Sequence, residues 1–291
     1  MSVTVDLFED FAEQIRRKFN LDASFDALEA VKIHAWYDLR RLPKKQWNVY
    51  YSEELKKNNF FISNKQFIDR IKEKAEEGED LSPHASVLIN DISAKDEMHA
   101  DWGIYHLHIG HGNRPARIQG FVNRANELLF VIPSVNNLYF IDVLDHNSWT
   151  NFHLIEILDN NWPSLIDPFR LRGVTSLSYE PTEQELYKMR KNQINASFRV
   201  GNSFFMGPGG GIATDGSSIR AVRMSQNVRQ LLTDYSRQLE KEENEIREKI
   251  EATTGASIEE IKLKLHEYDP KNGSGTMIEE NTQIALSFSF S

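Results

Sequence analysis

The stretch Trp102-Gly103-Ile104-Tyr105-His106-Leu107-His108-Ile109 alternates with a period of two, the mark of a β-strand lying on an apolar layer. Side chains two apart in a strand share a face, so Tyr105, Leu107 and Ile109 fall on one side and His106 and His108 on the other. Downstream, 128–132 and 138–144 read as two more apolar strands. Pro133-Ser134-Val135-Asn136-Asn137 joins them as a hairpin loop. The same alternation places Phe140, Asp142, Leu144 and His146 on one face. If these strands are neighbours, His106, His108, Asp142 and His146 converge.

Working outward, the chain before this sheet is helical. Leu7, Phe8, Phe11, Ile15 and Phe19 recur at helical spacing. A second helix covers 25–41, with Leu28, Val31 and Leu39 inward and Pro43 ending it. A third starts near Asn64, carries Phe67, Ile68, Ile71 and Ala75, and stops at Gly78. After the sheet, a helix over 150–161 ends at Pro163, and 173–179 reads as a strand. Thr182-Glu183-Gln184-Glu185 is a capping box opening a short helix, and 196–206 reads as a strand. A charged helical stretch follows over 218–252, with Val222, Val228, Leu231, Leu232, Tyr235, Leu239 and Ile246 as its apolar stripe. Ser257-Ile258-Glu259-Glu260 is expected to cap a further helix, and 282–290 to form a final strand. The fold class expected is α+β: an N-terminal helical region (1–80), a central mostly antiparallel sheet domain with the His-rich strands (81–215), and a C-terminal helix and strand extension (216–291).

Composition narrows the function. The chain has 291 residues, no cysteine and a net charge of −9. Disulfides and thiolate-held metals are excluded, so any metal would rest on His, Asp or Glu. The acidic start MSVTVDLFEDFAEQI lacks a signal peptide's basic region and apolar run, and no apolar run is long enough to cross a bilayer. Cytoplasmic residence without a membrane partner is the expectation. The negative charge argues against a broad basic face for duplex nucleic acid, while leaving room for a local RNA site. It also suits a protein partner, for which the polar helix over 240–251 is the expected contact.

Seven of the nine histidines fall between His84 and His153: His84, His99, His106, His108, His111, His146 and His153. Three chemistries fit such crowding. Neutral imidazoles with Asp142 can hold a divalent ion, giving a metal-dependent hydrolase or phosphoesterase on His106, His108, Asp142 and His146. Imidazoles near their own pKa can instead serve as general acid and base in RNA cleavage without metal or other cofactor. An arginine from Arg114, Arg117 and Arg124 would then stabilise the charged transition state. Third, paired histidines on a sheet face can be hydrogen-bonded and structural, in a non-catalytic acidic interaction protein.

The succession of a His-bearing strand, an arginine, the strand Glu127-Leu128-Leu129-Phe130-Val131, a turn, and the strand over 138–144 followed by His146 resembles the small-toxin ribonucleases of the RelE and EndoU-like grouping. The resemblance covers about residues 100–150. It implies a compact antiparallel sheet beside helices, and metal-independent cleavage of RNA in a toxin or bacterial defence effector. Arg124 then stands where those enzymes hold phosphate, and His146 where they carry a terminal His or Tyr. Their usual small size and basic charge are not shared by this chain. With this added, His106, His108, Arg124 and His146 are the expected catalytic set.

Two further signals are read as structural. Gly207-Pro208-Gly209-Gly210-Gly211 lies between a strand and a helix but lacks the Gly-Lys-Ser/Thr of a phosphate loop, so a flexible hairpin or lid is expected. Trp149 and Trp162 flank the helix over 150–161. They suit core anchors better than platforms for a base.

Overall fold

The computed structural model describes residues 3–116 and 118–290, so Arg117 lies outside the described residues. In chain order the first half contains β1 (Val3–Val5), α1 (Leu7–Phe19), α2 (Ala27–Leu39), β2 (Asn48–Tyr51), α3 (Glu53–Lys57), α4 (Asn59–Glu77), α5 (Glu97–Trp102), β3 (Tyr105–His108), β4 (Glu127–Ser134) and β5 (Asn137–Asp145). The second half contains α6 (His153–Asn161), α7 (Pro163–Ile166), α8 (Glu183–Lys191), β6 (Phe198–Val200), β7 (Ser203–Phe205), α9 (Ile219–Lys241), α10 (Glu243–Thr254), β8 (Ile261–Asp269), β9 (Ser274–Glu279) and β10 (Ala285–Ser289). The fold is α+β. No helix among the described residues is long and apolar enough to cross a membrane.

The contacts form two compact units, Met1–Ala35 with Ala221–Ser291, and Trp36–Arg220. They cut across the divisions at 80 and 215 read along the sequence. The physical reason is a pairing no local pattern shows: β1 runs parallel to β8, with Val3 opposite Ile261 and Val5 opposite Leu263. In this unit the sheet order is β1-β8-β9-β10. Its core joins Leu7, Phe11 and Ile15 of α1 to Ile261, Leu263 and Leu265 of β8 and to Ile246 and Ile250 of α10. Asp10 is buried on α1 and accepts hydrogen bonds from Leu265 N (3.0 Å) and Lys264 Nζ (2.7 Å), which fixes the helix on the strand. The helix expected after Ser257 does not form. The Ser257 hydroxyl bonds Glu251 instead, and Ile261, Leu263 and Leu265 alternate inward as a strand.

In the second unit the sheet order is β2-β5-β4-β3, with β2 parallel to β5 and the other pairs antiparallel. Helices cover both faces. Leu107, Leu129, Val131, Phe140 and Val143 pack with Phe61, Ile68 and Ile71 of α4 on one face. Leu128, Phe130 and Ile141 pack with Leu154, Ile157 and Leu158 of α6 and Leu186 of α8 on the other. Burial on both sides explains the unbroken apolar run of β4.

Several boundaries differ from the sequence expectation. Trp102 ends α5, and β3 begins only at Tyr105. Helix α4 starts at Asn59 under an Asn58 cap, and Asn64 (φ −124°, ψ 20°) marks a kink inside it. Residues 173–179 form turns and irregular chain, with Val174 and Tyr179 exposed. Residues 196–206 divide into the hairpin β6–β7 around Gly201. The Thr182 capping box is present as expected.

The β4–β5 connection is tighter than a five-residue loop. The strands reach Ser134 and Asn137, which leaves Val135 at φ +51° and 82% exposed. A β-branched residue is strained in this left-handed region, whereas glycine is not. Val135→Gly is therefore expected to raise unfolding stability by about 1 kcal/mol. Urea unfolding of the two proteins checks this, and a loss of stability would contradict the strain argument.

Candidate functional site

His106 and His108 project from the edge strand β3 on the face opposite Leu107. They line a cavity of about 370 Å³ together with Arg124, His146 and Trp149. Four residues expected from sequence to act together, His106, His108, Arg124 and His146, therefore share one wall. Arg124 Nη2 lies 3.3 Å from His108 Nε2. Because a guanidinium only donates, this Nε2 carries the lone pair and the His108 proton sits on Nδ1. The His108 and His146 rings are 6.4 Å apart. Trp149 stands edge-on to both His106 (4.8 Å) and His146 (4.9 Å). The indole read as a core anchor is thus also part of the cavity.

The backbone around this wall is held in place. His84 Nδ1 donates to the His108 carbonyl at 2.8 Å. Val122 N bonds Pro83 O (3.0 Å) and Arg124 N bonds Arg114 O (2.7 Å), so the irregular chain carrying Arg124 is tied down at two points. Gly112 lies so close to the Arg124 carbonyl that any side chain there would overlap it. The Arg114 side chain bonds Asn126, away from this wall.

Asp142 is not brought to the histidines. The β4–β5 ladder shifts register at Phe130/Val131, where Phe130 pairs with Asp142 and Val131 with Phe140. This bulge leaves Ile141 extra and turns Phe140 to the other face, whereas Asp142 keeps the row of Phe130 and His106 and is held away from His106 by the intervening β4. Phe140 packs with the α4 layer, whereas Leu144 packs with the α6 layer. The Asp142 carboxylate accepts from Asn58 Nδ2 (2.7 Å) and Val143 N (2.8 Å). Among the described residues no group of three or more His, Asp or Glu side chains is placed to hold a metal ion.

The glycine loop also has a structural task. Gly209 N donates to Asp101 O (2.6 Å) and Gly211 N to Ala100 O (3.0 Å), closing the C-terminal end of α5. A Cβ on Gly209 would come within 2.5 Å of Gly103 N. The loop is pinned to α5 and is not the flexible lid expected.

Burial sets the protonation of the wall. It lowers the pKa of His106, and with the neighbouring Arg124 charge it lowers His108 to about 3. His99 is 1% exposed, with Trp36 at 5.5 Å and Tyr105 at 4.3 Å between ring centroids. Neither of its nitrogens has a hydrogen-bond partner among the described residues, and burial pulls its pKa to about 4.

These shifts predict an acid-sensitive fold. Above the unfolded imidazole pKa of about 6.5 both states are neutral and nothing is lost. Below it the unfolded chain takes up protons that the folded chain refuses. Stability then falls by about 1.4 kcal/mol per pH unit for each such group, down to its folded pKa. His99→Phe is expected to flatten this slope between pH 6.5 and 4 by about one group's worth while changing stability little at pH 7.5. Urea unfolding across that range measures it, and an unchanged slope would mean that His99 is not held neutral.

The remaining cavity residues were not singled out in the sequence. Arg40, Arg41, Lys95, Arg190 and Lys191 add positive charge, against the carboxylates Asp96 and Glu97. A local cationic wall in a chain of net charge −9 does not show in a whole-chain sum. One signal was available. Leu186 and Arg190 lie four apart on α8 and are both buried, so an arginine occupies an inward position of an amphipathic helix. Comparison with protein-family models, with curated proteins and with solved structures gives no match for this chain.

Proposed function

We propose that this cavity is the active site of a metal-independent endoribonuclease, the activity also implied by the resemblance of residues 100–150 to toxin and defence ribonucleases. The observation that carries the reading is the meeting of three imidazoles and Arg124 in one cationic cavity of an acidic protein.

The roles follow from protonation. His106 and His108 are neutral at pH 7 because burial lowers both. A neutral imidazole accepts a proton, and His108 Nε2 is already occupied by the Arg124 N–H. His106 is then the general base that takes the 2′-hydroxyl proton. The 2′-oxygen attacks phosphorus, the bond from phosphorus to the 5′-oxygen breaks, and His146, the remaining imidazole of the wall, gives its proton to the departing 5′-oxygen. The products are a 2′,3′-cyclic phosphate and a 5′-hydroxyl. Arg124, aimed by His108, faces the charge that builds on the phosphoryl oxygens.

The reading is tested by incubating RNA with the purified protein in excess chelator and mapping the new ends. Cyclic phosphate and 5′-hydroxyl ends are expected. The acid limb of the rate profile should lie below pH 6.5, since the base must lose its proton and its pKa is lowered. Cleavage only with added metal, or 5′-phosphate ends, would overturn the assignment.

A further inference from the structure

His106 has two ring nitrogens, and they are not equivalent. Its side chain is 15% exposed, yet Nδ1 is buried and has no hydrogen-bond partner among the described residues. Nε2 is therefore the nitrogen left to the cavity. To accept a proton there, the neutral ring must carry its own proton on Nδ1.

The group that faces Nδ1 is a carboxylate. Asp96 Oδ2 lies 3.9 Å from it. The chain fixes this direction. Asp96 caps α5, and its Oδ1 accepts from His99 N at 2.9 Å, so the carboxylate is held through one oxygen and presents the other to His106. Only Gly103 and Ile104 separate α5 from β3. Gly103, at φ +70° and with its N bonded to His99 O (2.9 Å), turns the chain so that the start of the helix lies beside the strand. A separation of 3.9 Å is too long for a hydrogen bond but well within the range in which an opposite charge stabilises an imidazolium.

The other groups around the ring act in the opposite sense. Burial disfavours the charged ring most, and His146 and Arg124 disfavour it further; Asp96 is the group that favours it. His99 and His108 are neutral at pH 7 and bring no charge. Asp96 also acts on Arg40, Arg190 and Lys191. Each of these has partners of its own: the carbonyls of Leu88 and Asp91 for Arg40, Asp101 for Arg190, and Glu97 for Lys191.

We infer that Asp96 is the positioning residue of the general base. It keeps the proton of neutral His106 on Nδ1, leaves the Nε2 lone pair to the 2′-hydroxyl, and stabilises the imidazolium formed when Nε2 takes that proton. Asp96 itself stays ionised throughout. The substrate in this inference rests on the ribonuclease reading, whereas the coupling of Asp96 to His106 rests on the geometry.

The test follows the His106 ring by nuclear magnetic resonance in the full chain without RNA, with cleavage rates measured on the same samples. Asp96→Asn and Asp96→Ser both remove the charge and keep a side chain that caps α5 about as well. In wild type at pH 7.5 the ring nitrogen shifts should place the proton on Nδ1. In both variants His106 should titrate at lower pH, and the acid limb of the rate profile should move down with it. Cleavage at pH 7 should fall at least about tenfold, and by no more than the roughly 10²–10⁴-fold that the base itself contributes. Asp96→Asn should cost almost nothing more in a His106→Gln background. An unchanged His106 titration in the folded variants, or losses that multiply with His106→Gln, would overturn the inference. Cleavage by wild type with an unchanged titration sinks the role of Asp96 alone. A lowered titration in a protein that cleaves no RNA sinks the ribonuclease reading and leaves the coupled pair.

Discussion

Replacing His106 or His146 with alanine is expected to slow RNA cleavage by roughly 10²–10⁴-fold each, the usual contribution of a positioned acid or base. The two groups serve one proton transfer from each end of the reacting phosphate, so the double variant should fall well short of the product of the single effects. Folding should change little for His146→Ala, because His146 is exposed in the turn after β5. His106 faces Asp96 at 3.9 Å and is largely buried, so His106→Gln serves as a control of similar size. Single-turnover rates in chelator, with urea unfolding of the same samples, separate chemistry from stability. Unchanged rates for both variants would remove the imidazoles from the mechanism.

Much of this site was legible in the sequence because β3 obeys local rules. The alternation of Tyr105, His106, Leu107 and His108 depends only on the period of a strand, and it placed two imidazoles on one face as observed. Arg124 and His146 were reached through the resemblance, and both line the cavity. Asp142 does not reach the histidines because β4 lies between β3 and β5, a strand order that no composition rule signals. The two contact units also follow a pairing that is not local. Val3 and Ile261 pair across nearly the whole chain, and nothing in either short strand announces its partner. Ser257 shows competition between local signals, since its hydroxyl satisfies Glu251 while Ile261, Leu263 and Leu265 follow the period of a strand. Arg190 was hidden because an arginine on a charged helix reads as solvated until its inward position is seen.

The second large effect concerns Arg124. Losing a donor aimed at transition-state charge costs on the order of 10²–10³-fold, and Arg124→Ala should lower cleavage by that amount. Lysine would restore it only in part, because a single ammonium cannot reproduce the guanidinium fork. His108 acts here as a positioning residue, through its 3.3 Å contact with Arg124 Nη2. His108→Ala should thus be slow in the wild-type background and nearly without further effect on Arg124→Ala. Additive losses in that cycle would assign His108 an independent role.

The central claim is that RNA is cleaved in this cavity by side chains alone, and wild type and Arg124→Ala assayed side by side on the same RNA in excess chelator test it most directly. Rapid cleavage by wild type and a loss of at least about 10²-fold in the variant, with both proteins equally folded, is the predicted result. Equal cleavage by the two proteins, or none by wild type across RNAs of varied sequence, would contradict it.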